Sequence, residues 1–409
     1  MVLKKLLSFL ILVVVFGFWG KFGQIRALAP ACQPVCRNEP VTCFVHITDT
    51  HVDQQVWYPG RLKNAIDYFN RVIQPPFILH TGDTVDNANS VAFSSYINAI
   101  YGSLSPVCTV PGNHDQAGDY QYFLNNIAPA DVSFDCNSYR FVGYNSQRLG
   151  EILPSGETRF EWLKEQVEGS ALGKSVIFGH LPVEWPPGQT HGSLNMSPGD
   201  QGKIRNLMFE NQTLVYLSGH LHWNFVFYNP DKRVLDIGGW ALRNDPSPDS
   251  PGRYGLVCLD KKSVSSRLVS VGQTPLIIIT SPEEYINVGD RGKVFGRVKI
   301  KARTFSSEVV VSVSGRIDSG TWVNFDRLPE NLWEFTWDSR LAGVGEHTIT
   351  VRIPNSANPP IEHQIKVLVG IPGDYDNNGR IDQNDLQFLL DSWRENEVDL
   401  TILLANWTN

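Results

Sequence analysis

The spacing of hydrophobic residues divides the chain into regions of different structure. Between residues 41 and 270, short apolar runs alternate with segments in which apolar residues recur every three or four positions. The runs predict β-strands at 41–47, 76–80, 107–110, 174–178 and 214–217. The helical spacing lies between them, for example at 60–73 and 158–167. This alternation favours a layered α/β domain, which we place at residues 32–272.

Residues 273–370 change to a period of two. In the segment 347–353, Ile349, Val351 and Ile353 share one face of an extended chain. Similar runs occur at 276–280, 296–302, 308–314, 333–337 and 361–369. Several short alternating strands in about 100 residues predict an antiparallel β-sandwich, and we expect it to be immunoglobulin-like. The Cys and Trp spacing typical of that fold is absent, so its subtype stays open.

The C-terminal region, 371–409, contains a short repeat. The pattern D-L-x-x-L-L-x-x-W occurs at 385–393 and again at 399–407. It places leucines and tryptophan on one helical face, so we expect two short helices that bury these residues against each other.

The first 31 residues predict export. Lys4 and Lys5 precede an apolar run at 6–19, and alanines at 27–31 offer a cleavage point after Ala31. An uncleaved N-terminal anchor is the alternative, since residues 20–28 could extend the run to the roughly 20 residues that a membrane span needs. We therefore expect a secreted or cell-surface protein, bound to a membrane only if the segment is not cleaved.

Charge and cysteine content narrow the function classes. The chain has 35 basic and 42 acidic residues, a formal charge of -7, which argues against binding a nucleic acid polymer. Six cysteines in an exported chain permit disulfides, with fifteen alternative pairings. Cys108 and Cys258 lie in apolar runs and could equally be buried, unpaired thiols.

Five polar clusters follow the apolar runs of the first region. They are D-x-H at 49–51, G-D-x-x-D at 82–86, G-N-H-D at 112–115, G-H at 179–180 and G-H-x-H at 219–222. In D-x-H and H-x-H the two side chains would share one side of the chain if the strand conformation persisted. Imidazole, carboxylate and amide ligands suit Fe, Mn, Zn, Ni or Co, and the absence of cysteine argues against a structural zinc site.

This set of motifs resembles the calcineurin-like metallophosphoesterase superfamily over roughly residues 41–270. The resemblance implies a four-layer α/β/β/α sandwich and two metal ions, with Fe, Mn or Zn as the candidates. It implies one ion held by Asp49, His51, Asp83 and His222, and another held by Asp83, Asn113, His180 and His220. Such a pair of ions activates water and clamps the phosphoryl oxygens.

The resemblance also implies catalytic residues and a subgroup. His114 would stabilise the transition state or protonate the leaving oxygen, and Asp115 could hold its ring in one tautomer. Asp86 would support the ligands rather than bind metal. The motif spacing is more similar to the cyclic-nucleotide and glycerophosphodiester phosphodiesterases than to purple acid phosphatases, which carry tyrosine where this chain has Asp86.

A second metal motif begins the C-terminal region. Its oxygen-bearing side chains and glycine have the spacing of a twelve-residue calcium loop, with Arg380 offering its carbonyl. The residues assigned to calcium are Asp374, Asp376, Asn378, Arg380, Asp382 and Asp385. With the helix pattern that follows, the loop resembles a dockerin module, which implies a cohesin-bearing partner. The second loop of a dockerin is missing, and a solvated acidic turn without an ion is the alternative.

The sequence therefore predicts an exported, metal-dependent hydrolase of phosphate esters, with phosphodiesters as the expected substrates. Two alternatives remain open. One is a phosphomonoesterase, and the other is a non-catalytic binding or assembly protein that retains a relic of the phosphoesterase domain.

Overall fold

The computed structural model of the chain describes residues 32–53, 57–187, 195–230, 233–243, 250–285, 293–354, 356, 359–370, 374 and 380–392. The segment 1–31, expected to be a signal peptide or anchor, lies outside these residues, and so does the second repeat at 399–407. Within the described ranges, no helix is long and apolar enough to cross a membrane.

Two β-sheets form the centre of the N-terminal region. In chain order, its strands are β1 (Thr42–Ile47), β2 (Ile78–His80), β3 (Val107–Thr109), β4 (Val132–Cys136), β5 (Tyr139–Gly143), β6 (Ser175–Phe178), β7 (Val215–Ser218), β8 (Phe225–Asn229), β9 (Val234–Gly238), β10 (Arg253–Asp260) and β11 (Ser263–Ser270). The first sheet has the order β11-β10-β1-β2-β3, and the second has the order β4-β5-β6-β7-β9-β8. Strands β1 to β3 are parallel, as are β5, β6, β7 and β9, so several carboxyl ends meet at one edge of each sheet.

Helices with well-formed N-termini connect these strands. They are α1 (Trp57–Tyr68), which continues as a π-helix at Phe69–Ile73, then α2 (Ser90–Ile100), α3 (Asn113–Gln116), α4 (Tyr120–Asn126), α5 (Arg159–Glu168) and α6 (Pro198–Glu210). The Asn89 side chain accepts hydrogen bonds from the first turn of α2, and Ser197 caps α6. Thr158 and Glu161 form a capping box at α5.

The elements stack in four layers. The inner faces of the two sheets share one apolar core, in which the rings of Phe44 and Phe141 lie 5.4 Å apart. Helices α1 and α2 cover the outer face of the first sheet through residues such as Ile66. Helices α5 and α6 cover the second sheet through residues such as Leu163. The order of layers is therefore α/β/β/α.

The next region is a β-sandwich. Its strands are β12 (Leu276–Ser281), β13 (Lys293–Val294), β14 (Arg297–Phe305), β15 (Ser314–Ile317), β16 (Val323–Asn324), β17 (Asp326–Arg327), β18 (Leu332–Asp338), β19 (Gly345–Ile353) and β20 (Ile361–Val369), with a 3-10 turn at Ser339–Leu341. The sheets β12-β14-β18-β17 and β13-β20-β19-β15-β16 enclose a common apolar core. The immunoglobulin-like topology stays a prediction.

The strand predicted at 308–314 is wrong except for its last residue, where β15 begins. Val310 and Val313 are buried, whereas Val309 and Val311 are 75% and 84% exposed. The segment 308–313 pairs with no strand of the described chain. A strand needs a hydrogen-bonded neighbour, and an apolar pattern does not show whether one is present.

All six cysteines form disulfides, which link Cys32 to Cys108, Cys36 to Cys136 and Cys43 to Cys258. The interpretation of Cys108 and Cys258 as unpaired thiols is therefore wrong. An apolar strand buries a disulfide as readily as a thiol, so the surrounding sequence did not distinguish the two.

Candidate metal centre

The metal ligands implied by the motifs lie just beyond the carboxyl ends of five strands. Asp49 and His51 follow β1, Asp83 follows β2, Asn113 follows β3, His180 follows β6, and His220 and His222 follow β7. Three of these strands belong to the first sheet and two to the second. Such an edge is where open α/β sheets place their sites.

The strand conformation does not persist through the motifs. Strand β1 ends at Ile47 and β7 ends at Ser218, before the ligands. Five of the seven have left-handed backbone, with φ of 49° at Asp49, 42° at His51, 53° at Asp83, 66° at His220 and 63° at His222. The strand conformation that would have put both side chains of D-x-H and of H-x-H on one face is therefore absent, although Asp49 Oδ1 and His51 Nε2 lie 3.7 Å apart. Left-handed residues cluster at functional sites because the surrounding contacts compensate their strain.

Two glycines allow the loops to come this close. A Cβ atom at Gly219 would overlap Thr48 Oγ1 and lie 2.8 Å from Asp49 Oδ2. A Cβ atom at Gly112 would overlap the Asp83 carboxylate and backbone nitrogen. The glycines of the motifs thus serve close approach between loops.

The first group of ligands converges on one point. One ligand atom from each of Asp49, His51, Asp83 and His222 lies within 4.8 Å of the others. The Nε2 atoms of His51 and His222 are 3.1 Å apart, and His222 Nε2 is 3.1 Å from Asp49 Oδ1. His51 Nε2 is 3.6 Å from Asp83 Oδ2.

A second group adjoins it through Asp83. The Oδ2 atom of Asp83 is 3.3 Å from His180 Nε2. His180 Nε2 is 3.0 Å from Asn113 Oδ1, and the rings of His180 and His220 lie 5.1 Å apart. Asp83 Oδ2 thus faces a histidine of each group, which is the position of a bridging ligand.

One oxygen of each carboxylate accepts hydrogen bonds from the protein, which leaves the other oxygen directed at the centre. Asp49 Oδ2 accepts hydrogen bonds from Thr48 Oγ1 at 2.6 Å and from the His220 backbone at 3.0 Å. Asp83 Oδ1 accepts from the His114 backbone at 2.9 Å. Asp49 Oδ1 and Asp83 Oδ2 remain directed at the histidines.

Contacts at Nδ1 likewise orient two of the histidine rings. His180 Nδ1 lies 2.8 Å from the Thr81 carbonyl, to which it donates, so its Nε2 is directed at Asp83 and the centre. His51 Nδ1 is 3.2 Å from Asp86 Oδ1. Buried imidazole and carboxylate atoms that converge in this way fit Fe, Mn or Zn.

The charges of the site support the ionised form of its carboxylates. Burial opposes ionisation of Asp49, but His222 and His51 hold its pKa well below the usual value. Burial likewise opposes ionisation of Asp83, and His180 lowers its pKa. Burial would lower the pKa of His180, but the Asp83 carboxylate raises it to about 9. Two buried carboxylates that stay ionised in this way are suited to binding a cation.

Comparison with known proteins agrees with this geometry. The sequence profile of the family described as "Calcineurin-like phosphoesterase" matches residues 44–224. The chain contains a calcineurin-like metallophosphoesterase domain. Domains of this family are metal-dependent phosphoester hydrolases, and we assign this domain to that class.

The relatives are distant. The chain is 23% identical over 361 residues to transmembrane protein 62 of Mus musculus, and the match covers 76% of this chain but 53% of the mouse protein, so the chain spans about half of that relative. It is 24% identical over 255 residues to a protein of Fibrobacter succinogenes described as a probable cyclic nucleotide phosphodiesterase, covering 58% of this chain and 93% of that one. Among solved structures, it is similar to the purple acid phosphatase PPD1 of yellow lupin, with 12% identity, a TM-score of 0.43 and coverage of 57% and 52% of the two chains.

In the phosphoesterase domain, Asp115 does not orient His114 as predicted. The Asp115 carboxylate is buried and accepts hydrogen bonds from the backbones of Thr84 at 3.0 Å and Gly112 at 2.8 Å. Burial and the nearby charge of Asp83 raise its pKa to about 6. Asp115 therefore ties two ligand loops together. It lies one residue from His114, but the short helix α3 points the two side chains in different directions.

His114 is instead held by Asp86. His114 Nδ1 lies 2.7 Å from the Asp86 carbonyl and 3.8 Å from Asp86 Oδ1. The His114 side chain is 39% exposed, so its ring lies at the open side of the site. Asp86 thus contacts both His51 and His114, and its supporting role stays a prediction.

Two buried histidines support the loops, and the motifs did not reveal their contacts. His46 Nε2 lies 2.9 Å from Thr81 Oγ1, and His80 Nε2 lies 3.1 Å from Thr50 Oγ1. Burial lowers the pKa of His46 to about 4 and that of His80 to about 3, so both rings are neutral. His46 thus connects strand β1 to the loop after β2, and His80 connects strand β2 to the loop after β1.

Sequence reasoning also missed Arg243, whose guanidinium donates from Nη1 to Asp86 Oδ1 at 2.9 Å. It lies 21 residues beyond His222 and outside all five motifs. No sequence signal would have placed it at the site.

The calcium loop is described only in part. Asp376 and Asn378 lie outside the described residues. Asp385, in helix α7 (Gln383–Ser392), is buried and accepts a hydrogen bond from the Asp382 backbone at 2.7 Å. Asp374 and Arg380 are described, and the calcium assignment stays a prediction.

Proposed function

We propose that the protein is an exported phosphoesterase with two metal ions, and that it hydrolyses phosphodiesters. The observation that carries this proposal is the position of Asp83, whose Oδ2 lies 3.6 Å from His51 Nε2 and 3.3 Å from His180 Nε2. One carboxylate shared by two groups of ligands is the arrangement that a dinuclear centre requires.

The roles of the residues follow from this geometry. Asp49, His51, Asp83 and His222 would hold one ion, and Asp83, Asn113, His180 and His220 the other. When bound, the ions supply a nucleophile from water at neutral pH and stabilise the charge on the phosphoryl oxygens. The chain shields Asp49, Asp83 and His180 from solvent, since each of them is buried.

His114 would assist departure of the leaving group. Its Nδ1 is engaged by the Asp86 carbonyl, so Nε2 is the ring nitrogen that can reach the substrate. In the protonated ring, Nε2 would donate a proton to the leaving alkoxide oxygen.

The preference for diesters rests on two supports. The relative from Fibrobacter succinogenes carries the name of a cyclic nucleotide phosphodiesterase. In addition, Asp86 contacts His51 and His114 at the position where purple acid phosphatases have tyrosine.

Hydrolysis of bis(p-nitrophenyl) phosphate and of p-nitrophenyl phosphate tests the proposal. The full chain would be secreted so that its disulfides form, and then loaded with Mn, Fe or Zn. We expect metal-dependent turnover, faster with the diester, and a loss of about 10²–10⁴-fold in His114→Ala. Faster turnover of the monoester would identify a phosphomonoesterase. Absence of turnover in a protein that holds both ions would favour the binding or assembly alternative.

Export is supported by the three disulfides, since such bonds persist in oxidising compartments. The proposed cleavage after Ala31 would leave Cys32, which is disulfide-bonded to Cys108, as the first residue. N-terminal sequencing of the secreted protein tests this, with Cys32 expected and an intact residue 1 as the contrary result.

We further propose that residues 374–385 bind calcium and that the C-terminal module binds a cohesin-bearing protein. The support is the spacing of the oxygen ligands and the burial of Asp385 at the start of α7. Calcium titration of the full chain, compared with Asp374→Ala, tests the ion site. Equal calcium binding by both proteins would contradict it, and a pull-down with an isolated cohesin would test the partner separately.

A further inference from the structure

Arg243 lies at the open side of the metal centre, on the turn that follows β9. Its Nη1 donates to Asp86 Oδ1 at 2.9 Å. The side chains of Arg243 and Asp86 are each 33% exposed, so part of each faces solvent. The pair can therefore be reached from solvent beside the metal centre.

A buried arginine fixes the turn that carries Arg243. Arg61, on α1, is 4% exposed, and its Nη1 donates to the carbonyls of Leu242 at 3.1 Å and Arg243 at 2.9 Å. Burying a guanidinium is costly unless its hydrogen bonds are made. Both of these Arg61 hydrogen bonds go to the backbone of one turn. They offset the cost of its burial and fix the backbone position of Arg243.

Asp86 connects Arg243 to the reacting groups. The Oδ1 atom that accepts from Arg243 is also 3.2 Å from His51 Nδ1. The Asp86 carbonyl binds His114, whose ring lies 4.6 Å from the His51 ring. Arg243 is thus separated by one carboxylate from a metal ligand and from the residue proposed to protonate the leaving group.

The guanidinium has donors beyond those that Asp86 uses. It carries five N–H groups in a planar fork, which matches the spacing of phosphate oxygens. Within the described ranges, the Arg243 guanidinium makes one hydrogen bond, from Nη1 to Asp86 Oδ1. The exposed third of the side chain is free to face a ligand.

We propose that Arg243 is a substrate-positioning residue that binds a non-bridging oxygen of the substrate's phosphoryl group. This inference rests on the proposed phosphoesterase function. Asp86 accepts a hydrogen bond from one nitrogen of the guanidinium, Arg61 donates to the Arg243 carbonyl, and the remaining N–H donors would bind the phosphate. A charge-assisted hydrogen bond of this kind strengthens as negative charge develops on the phosphoryl oxygens.

Phosphate binding tests the inference directly. Inorganic phosphate would be titrated by calorimetry into the metal-loaded full chain and into Arg243→Gln and Arg243→Lys. We expect Arg243→Gln to weaken phosphate binding by about ten- to hundredfold, the loss typical of a hydrogen bond to a charged group. Arg243→Lys keeps the charge but loses the planar set of N–H donors, so its phosphate affinity should lie between those of the wild type and Arg243→Gln. Metal content should be unchanged in both variants.

The matched control is Arg140→Gln. Arg140 is an arginine of the same domain that is also paired with a carboxylate, since its Nε lies 2.6 Å from Asp135 Oδ1. It is on β5, before the strand reaches the edge that carries the site. Phosphate affinity and turnover should match those of the wild type.

Kinetics with bis(p-nitrophenyl) phosphate separate this role from a purely structural one. If Arg243 served only to hold Asp86 in place, Arg243→Gln would have the same effects as Asp86→Asn. Both variants would then show a lowered metal content and a changed pH profile of kcat. We expect instead a raised KM and a lowered kcat, with the metal content and the pH profile of kcat retained. Unchanged phosphate affinity in Arg243→Gln would overturn the inference even if the wild type is active. If the wild type proved inactive, the proposed function would fail while the phosphate titration still tested Arg243.

Discussion

At the scale of single residues, the proposed metal centre is supported by hydrogen bonds to the side of each proposed ligand that faces away from the centre. Asp49 and Asp83 each give one oxygen to backbone or hydroxyl donors and keep the other for the centre. The left-handed backbone of five ligands costs about 1–3 kcal/mol at each. Bonds such as that from the His220 backbone to Asp49 must offset this strain. Small changes behind the ligands should therefore have large effects on metal binding.

Gly219→Ala tests this view. The added Cβ would overlap Thr48 Oγ1 and crowd Asp49 Oδ2, which Thr48 orients. We expect metal affinity to fall by at least about tenfold, as when other supporting contacts are lost, with a parallel loss of turnover. Metal titration of the purified variant measures it. The control is Gly202→Ala, in helix α6, where a Cβ meets no atom within 4 Å. Wild-type affinity in Gly219→Ala would show that the close approach is dispensable.

At the scale of elements, strand ends bring the motifs together, and the sequence predicted much of this. Apolar runs located β1, β2, β3, β6 and β7, because buried parallel strands are continuously hydrophobic. The motifs named the ligands that the structure gathers around Asp83.

Other features depend on partners distant in the chain and could not be predicted. The segment 308–314 looked like a strand, but whether an extended segment is paired depends on its neighbours. Asp115 contacts Thr84 rather than His114 because of the turn of α3. Arg243 reaches Asp86 across 157 residues. In each case the local sequence does not predict which distant residue is contacted.

The disulfide between Cys43 and Cys258 joins two neighbouring strands of the first sheet. The two residues face each other in the antiparallel register of β1 and β10. Because β1 leads directly into Asp49 and His51, this crosslink stabilises the element that carries two ligands. We predict that replacing both cysteines with alanine lowers unfolding stability by about 2–5 kcal/mol.

Thermal unfolding of the double variant measures this loss. The wild type under reducing conditions should unfold at a lower midpoint than when oxidised, and so provides the comparison. An unchanged midpoint in the double variant would mean that strand pairing alone holds β1 in place.

At the scale of the whole molecule, the sandwich is joined to the phosphoesterase domain. Lys301 lies 2.8 Å from Asp260 of β10, and Arg303 donates to the Val41 carbonyl at 2.9 Å. Leu276 and Ile278 of β12 belong to the same apolar core as helix α1. The sandwich therefore supports the sheet that carries three of the ligand loops.

His363 makes this junction sensitive to acid. It lies on β20, where its Nδ1 accepts from the Ile279 backbone at 3.1 Å, and it borders a cavity that also touches β8, β9 and β11. Burial, together with the charge of Arg267, lowers the pKa of His363 from 6.5 to about 3. The unfolded chain thus binds a proton that the folded chain does not, so stability is present above pH 6.5 and falls as the pH drops towards 3.

His363→Gln should remove this dependence. Relative to the variant, the wild type should lose up to about 1.4 kcal/mol per pH unit below 6.5. Urea unfolding at pH 7.5, 5.5 and 4.5 measures the difference between the two proteins. A difference that stays constant over this range would rule out His363 as the acid-sensitive group.

The most direct test of the account is the metal content of the wild type and of Asp83→Ala, measured beside hydrolysis of bis(p-nitrophenyl) phosphate. Because Asp83 lies between both groups of ligands, its loss should empty both positions. We predict about two metal ions per wild-type chain, few in the variant, and turnover in the wild type alone. An Asp83→Ala protein that retained both ions and full activity would contradict the assignment of the centre.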